Sequence, residues 1–154
     1  MSGKNCFIKI SGDILNNYDM LRWIKELSRQ YFTVVCVGGG TQINQAFEAA
    51  GFPVKKFGLL GRETETLAER QLARDILEKN QVEIQHHFAA LDIRVKVVIP
   101  VMEIGTVPCH INGDQLILVA YHGFDVLYVV TAKDKVESKK SFFSPYQKIC
   151  VIGF

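Results

Sequence analysis

Three glycines stand where an apolar run stops, in the stretch Val34-Val-Cys-Val-Gly-Gly-Gly-Thr-Gln-Ile-Asn44. Val34 to Val37 is too short for a helix and rich in β-branched residues, which predicts a strand buried on both faces of a parallel sheet. Thr41 and the periodic Ile43, Ala46, Phe47 and Ala50 predict the opening of a helix, which Gly51 ends and Pro53 keeps from resuming. A strand, a loop without side chains and a helix start aim unpaired backbone N–H groups, and the positive end of a helix dipole, at one spot. That spot suits a phosphate or a carboxylate. A tight turn or close helix packing would need a single glycine. Gly38, Gly39 and Gly40 together, at the carboxyl end of a buried strand, favour contact with a ligand.

A second reactive group is Lys9, inside the short apolar strand Cys6 to Ile10 and just ahead of Ser11-Gly12-Asp13. On a strand buried on both faces its charge must meet an anion, because an unpaired buried ammonium is strongly destabilising. On an edge strand it would face water, and the segment alone leaves both readings open. The third stretch is His110-Ile-Asn-Gly-Asp114, where Asp114 can cap a helix over Gln115 to Tyr121 that is apolar nearly all round and so expected to be deeply packed. Gly123 closes that helix. Phe124 to Val130 predicts another buried strand, running into the polar loop Thr131-Ala-Lys-Asp-Lys135. Lys133, Lys135, Lys139 and Lys140 match a solvated face, which composition favours, or a phosphate clamp if the loop folds over a nucleotide.

The remaining elements position these groups. A helix from Asn17 to Gln30 carries Met20, Trp23, Ile24, Leu27 and Tyr31 on one stripe, which assigns Trp23 to the core. Phe57 to Arg62 forms an irregular link. A capping box at Thr66 and Glu69 opens a helical stretch to Leu91, with Ala73, Ile76, Leu77, Ile84, Phe88 and Leu91 on one face and Asn80 among them. Such a length implies a break near Asn80 or an extension into a subunit contact. His86 and His87 are adjacent, cannot both face one metal from a helix, and are expected to be partly exposed. Arg94 to Met102 has strand character interrupted at Pro100, Gly105 and Pro108 mark a loop, and Lys148 to Phe154 closes the chain as a short strand.

At 154 residues the chain is expected to be one domain, spanning 1–154, enough to bury roughly 70% of its unfolded surface. Hydrophobic residues make up 48%, and no apolar stretch approaches the roughly 20 residues of a membrane span. Neither a membrane nor a secretory signal is indicated, and a cytoplasmic address is the default. A formal charge of +2 is too small and scattered for a nucleic-acid partner, which leaves small anions as the expected ligands. Cys6, Cys36, Cys109 and Cys150 show no CxxC spacing and are expected to be reduced and mostly buried.

Three of these stretches together resemble the amino acid kinase family, which includes carbamate, acetylglutamate, aspartate, uridylate and isopentenyl phosphate kinases. Phe7-Ile-Lys-Ile-Ser-Gly12 is similar to the family's opening strand, whose lysine contacts the transferred phosphoryl group, a role that falls to Lys9. Val35 to Asn44 is similar to the glycine loop that cradles the acceptor or its phosphate, and with the Ser11-Gly12 end of the first segment this gives Ser11, Gly12, Gly38, Gly39 and Gly40 as the expected acceptor- or phosphate-binding residues. Ile111-Asn-Gly-Asp114 is similar to the segment whose aspartate orients the catalytic lysines, a role that falls to Asp114. The resemblance also points to Thr131 and Asp134 beside the nucleotide, and Lys133 between them is a further candidate nucleotide-binding residue; no residue is singled out as a metal ligand. The resemblance implies an α/β fold, a three-layer αβα sandwich with a mainly parallel central sheet of the carbamate kinase-like type. ATP and Mg2+ are the implied cofactors, and a homodimer through the long helix is the implied assembly.

Two departures bear on function. The family's Thr-x-Val-Asp-Gly-Val is Thr131-Ala-Lys-Asp-Lys-Val136 here, with Lys135 in place of a glycine. Only 18 residues follow Val136, so the resemblance implies a truncated fold in which part of the nucleotide half is missing, and the region between Val101 and Cys109 is expected to be shortened. Two functions follow. One is ATP-dependent phosphoryl transfer to a small carboxylate, phosphate or carbamate. The other is a non-catalytic binder of small anions or nucleotides, or an interaction subunit, derived from such a kinase. A dinucleotide enzyme is disfavoured because the GxGxxG fingerprint is missing.

Overall fold

A lysine can sit inside a central strand only if the sheet around it supplies both packing and a counter-charge, and the fold is arranged to do this. The computed structural model describes residues 3–54 and 58–154, so the link expected from Phe57 begins outside the described residues. Strand β1 (Asn5–Ile10) leads through a 3-10 turn at Gly12–Ile14 to helix α1 (Tyr18–Gln30) and strand β2 (Phe32–Val37). Helices α2 (Gly40–Ala49) and α3 (Leu67–Ala90) precede strand β3 (Lys96–Val98). Strands β4 (Val101–Ile104) and β5 (Val107–His110) come next, followed by helix α4 (Gly113–Ala120) and strand β6 (Val126–Thr131). A 3-10 turn at Lys133–Lys135, helix α5 (Val136–Phe143) and strand β7 (Ile149–Gly153) complete the chain.

The central sheet has five parallel strands in the order β3-β2-β1-β6-β7, which makes β1 the middle strand and settles Lys9 as buried. Strand residues alternate between two helical layers. Cys6, Ile8 and Ile10 of β1 pack with Met20, Leu21, Ile24 and Leu27 of α1 and with Ile84 and Phe88 of α3. Phe7 faces the other way, into a cluster with Ile117 of α4 and Phe143 of α5. Helices therefore cover both faces, as expected for an α/β sandwich. No helix among the described residues is long and apolar enough to cross a membrane.

Asn17 caps α1, and the reciprocal Thr66–Glu69 capping box opens α3. Trp23 lies against the core, its ring 4.9 Å from that of Tyr128. Helix α3 runs unbroken for 24 residues through Asn80. Asn80 is buried because its amide has a task, donating a 3.0 Å hydrogen bond to the Gly38 carbonyl. His86 is exposed and His87 partly so.

Five expectations need correction. Pro100 ends β3 early, and the segment after it is a two-stranded antiparallel hairpin, turning at Gly105 and Thr106, with Pro108 inside β5. The residue that caps α4 is Asn112, whose side chain accepts from the Asp114 N–H, so Asp114 is free to use its carboxylate elsewhere. Helix α4 is only partly packed, with Val119 half exposed, because one face alone meets the sheet. The lysine-rich segment after Thr131 is helical. Of the cysteines, all free, Cys6 and Cys36 are buried, whereas Cys109 is partly and Cys150 fully exposed.

Replacing Asn80 removes the donor that fixes the glycine loop and leaves the Gly38 carbonyl without it. Asn80→Ala is expected to lower unfolding free energy by about 1–3 kcal/mol, read as a lower urea midpoint, and an unchanged midpoint would show that the contact is energetically idle.

Candidate active site

Parallel sheets bind ligands beyond the carboxyl ends of their strands, where the strand order reverses direction. The chain starts at β1, builds outward through β2 and β3, then returns to the other flank of β1 with β6 and β7, so the reversal lies between β1 and β6. A cleft of about 360 Å³ opens there, lined by Lys9, Ser11, Gly12, Gly38, Gly39, Gly40, Asp114 and Thr131 among others. That volume is within the usual range of small-molecule sites, about 300–1,000 Å³.

Lys9 shares the α4 side of β1 with Phe7, and its stem passes over Gly113. A Cβ at Gly113 would lie 3.0 Å from Lys9 Cε, so a side chain there would push the lysine aside. The ammonium lies 3.1 Å from Asp114 Oδ1, and both side chains are 9% exposed. The other carboxylate oxygen, Oδ2, takes Lys139 Nζ, which reaches in from α5. Oδ1 has no aligned hydrogen-bond donor among the described residues, so its contact with Lys9 is an ion pair in geometry. Burial pushes the Asp114 carboxyl up, but the Lys9 and Lys139 charges outweigh it and hold the group below the usual carboxylate range. One buried aspartate thus organises two ammonium groups.

The glycine loop meets this pair from the β2 side. Gly38 is committed at both ends: its N–H donates to the Ile10 carbonyl at 2.9 Å and its own carbonyl accepts from Asn80. It therefore cannot supply the anion contact expected of its amide, and serves to anchor the loop. Gly39 precedes the first turn of α2 and brings no side-chain cap. The N–H groups that open α2, from Gly40 and Thr41, have no intrahelical acceptor and are the donors left for a ligand. Gly12 must be glycine for want of space, since a Cβ there would lie 2.7 Å from the Gly38 carbonyl oxygen. Ser11 N–H donates to Val130 O at 3.0 Å, tying the end of β1 to β6. Thr131 is fully buried at the end of β6, and its hydroxyl has no hydrogen-bond partner among the described residues.

Lys133 and Asp134 are exposed and do not line the cleft. The 3-10 turn winds them toward solvent and brings Lys135 and Lys139, four residues apart on one helical face, inward instead. Lys135 Nζ lies 2.7 Å from Asp13 Oδ2. Burial pushes the Asp13 carboxyl up, but hydrogen bonds from Lys135 and Thr41 and the Lys135 charge bring it below its ordinary value.

The far end of the cleft has its own cation, Arg62, which the sequence did not single out because the link around it has no periodicity. Its guanidinium donates to Asn44 Oδ1 at 2.5 Å and to Gly40 O at 3.3 Å, and lies 5.1 Å from the centroid of Phe47. His110 also lines this end; burial, and then the charges of Arg74 and Arg70, lower its pKa. Among the described residues no three His, Cys, Asp or Glu side chains come together to hold a metal ion.

No protein-family model and no curated protein matches the chain.

Acid should weaken the fold in two stages. His110 titrates below its ordinary 6.5 when folded, so the unfolded chain takes up that proton first and stability begins to fall as pH drops below about 6.5. Asp114 and Asp13 have lowered folded values, so their contribution is complete above the unfolded carboxylate pKa of about 3.9 and is lost as pH falls through the folded values. Urea midpoints from about pH 8 to about pH 3 are expected to show both declines, with His110→Gln flattening the upper one.

Proposed function

We propose that the chain is an amino acid kinase-like protein that transfers a phosphoryl group from ATP to a small anionic acceptor, a carboxylate, phosphate or carbamate. The observation that carries this reading is the buried Asp114 carboxylate bridging Lys9 and Lys139 opposite the amides that open α2. Phosphoryl transfer asks a protein mainly for position and for positive charge around the equatorial oxygens. Two ammonium groups fixed on one aspartate supply such charge without side-chain reorganisation during the reaction.

The acceptor's attacking anionic oxygen would face the α2 amides, and Arg62 and Asn44 would meet the remainder of the acceptor. That oxygen attacks the terminal phosphorus, the bond from phosphorus to its bridging oxygen breaks, and the shortened donor leaves with the electron pair. A carboxylate or phosphate attacks as its anion and needs no base. The buried Thr131 hydroxyl and the Ser11–Gly12 turn are suited to the donor side.

The residues present do not fit a resident Mg2+. Asp114 is held by two lysines and Asp13 by a third, so a magnesium ion would arrive on the phosphates of the donor. A second reading, a non-catalytic binder of small anions, is favoured by one observation: Lys133 and Asp134, expected beside the nucleotide, lie outside the cleft. It shares the anion site and dispenses with turnover.

Thermal melting with Mg-ATP, ADP, orthophosphate and candidate acids tests the site, because a ligand at 100 times its dissociation constant adds about 2.7 kcal/mol of stability. Lys9→Met keeps most of the volume, removes the cation, and is expected to abolish the stabilisation by every phosphate-bearing ligand. Phosphate affinity unchanged in that variant would remove Lys9 from the site. ADP release that rises with an added carboxylate or phosphate supports the kinase; binding without turnover supports the second reading.

A homodimer is part of the proposal, with α3 as the symmetric contact. Light scattering at micromolar concentration is expected to give twice the 17.4 kDa chain mass, and a monomer would reject it.

A further inference from the structure

The two ends of the cleft differ in what they can recognise. Apolar lining comes from Ile43, Ala73, Leu77, Pro100 and Ile111, which belong to α2, α3 and the connections flanking the hairpin, all away from β6. The end toward β6 and α5 is lined by Ser11, Asp13, Thr131, Lys135 and Lys139. None of these offers an aromatic or broad aliphatic face. Selection of a nucleobase needs apolar walls to stack against, or buried polar groups that are left unpaired by the wrong base. The residues that line the β6 end of the cleft supply no such walls. Thr131, which lines the cleft with Lys135 and Lys139, is fully buried there and its hydroxyl has no hydrogen-bond partner among the described residues.

We infer that the donor is recognised through its phosphate chain alone, so that inorganic tripolyphosphate and any nucleoside triphosphate bind equivalently. This rests on the proposed phosphoryl-transfer site and deepens it. Lys135 is the residue that adapts the site to a chain of phosphates. Asp13 would repel a polyphosphate lying beside the Ser11–Gly12 turn, and Lys135, 2.7 Å away, neutralises it. The Lys135 and Asp13 side chains are 45% and 25% exposed, and a pair so accessible to water is weak. The Lys135 ammonium carries three donors, so it can reach a phosphate oxygen of the ligand while it still offsets the Asp13 charge. Binding carried by charge falls steeply with salt.

Calorimetry on the full chain with ATP, GTP, CTP, inorganic tripolyphosphate and adenosine, at one Mg2+ concentration and two salt concentrations, tests this. The four polyphosphates are expected to agree in dissociation constant within about threefold, a difference well under the 1.4 kcal/mol of a tenfold change, while adenosine gives no heat. Lys135→Met is expected to weaken all four about tenfold, the effect of losing one charge contact. Lys135→Arg retains the affinity, and Lys133→Met, at an exposed position outside the cleft, changes nothing. ATP binding more than about tenfold tighter than tripolyphosphate or GTP, salt-insensitive ATP binding, adenosine binding, or an unaffected Lys135→Met variant would overturn the inference while leaving the phosphate site standing. Absence of heat with every polyphosphate and with orthophosphate would overturn both.

Discussion

The structure depends on one buried charge. Lys9 sits in the middle strand of a five-stranded parallel sheet, where desolvation of an ammonium group is tolerated only with an anion in contact. Asp114 provides it, and Lys139 on the same carboxylate leaves the group with a net positive charge. This arrangement fixes more than two side chains. Gly113 must lack a side chain so that the Lys9 stem can pass. Asn112, not Asp114, must cap α4, so that the carboxylate can turn inward. Helix α5 must dock with Lys139 facing β1 rather than solvent. A stability-only design would place a leucine at position 9, since well-packed apolar residues commonly match or exceed a buried ion pair in stability. The lysine is therefore best understood through what it can hold.

Much of this was legible in the residues. The apolar run before Gly38, the Thr66–Glu69 box and the stripe of α1 are local patterns, each decided by periodicity or capping within a few residues. Lys9 was legible as a conflict, a charge inside a strand-like run, although only the sheet order could decide between centre and edge. What stayed hidden depends on contacts far apart in sequence. Asn80 looks like a weak point in a helix until its amide is seen on Gly38, 42 residues away. Arg62 lies in a link without any pattern. Lys135 and Lys139 carry a legible signal, an i, i+4 spacing, but four lysines close together match a solvated face equally well. The β4–β5 hairpin was obscured by Pro100 and Pro108, residues that normally argue against strand pairing.

The glycine loop shows how function is divided among adjacent residues of one type. Gly38 spends its donor and its acceptor on structure, a Cβ at Gly39 would crowd the Asn80 amide of α3 at 2.9 Å, and the amides that follow remain for a ligand. Rigidity is bought from three sides: β1 through Ile10, α3 through Asn80, and the 3-10 turn through close approach of Gly12. A loop held this way is organised before any anion arrives, which limits the ordering entropy lost on binding.

The register of the sheet also sets an order of assembly. β1 pairs with β2 after one helical crossover, but its other neighbour, β6, begins about 120 residues later, as the bond from Asn5 to Asp125 marks. Until α4 and β6 arrive, one edge of β1 is open and Lys9 has no Asp114 beside it. The solvated ammonium then acts as a gatekeeper on an unpaired edge, since an inward-pointing charge discourages strand addition by another chain. When α4 and β6 dock, the same charge passes from protecting an open edge to holding Asp114 in the cleft. The closure of the sheet around β1 is accordingly non-local in sequence, and contacts of that separation are slow to form.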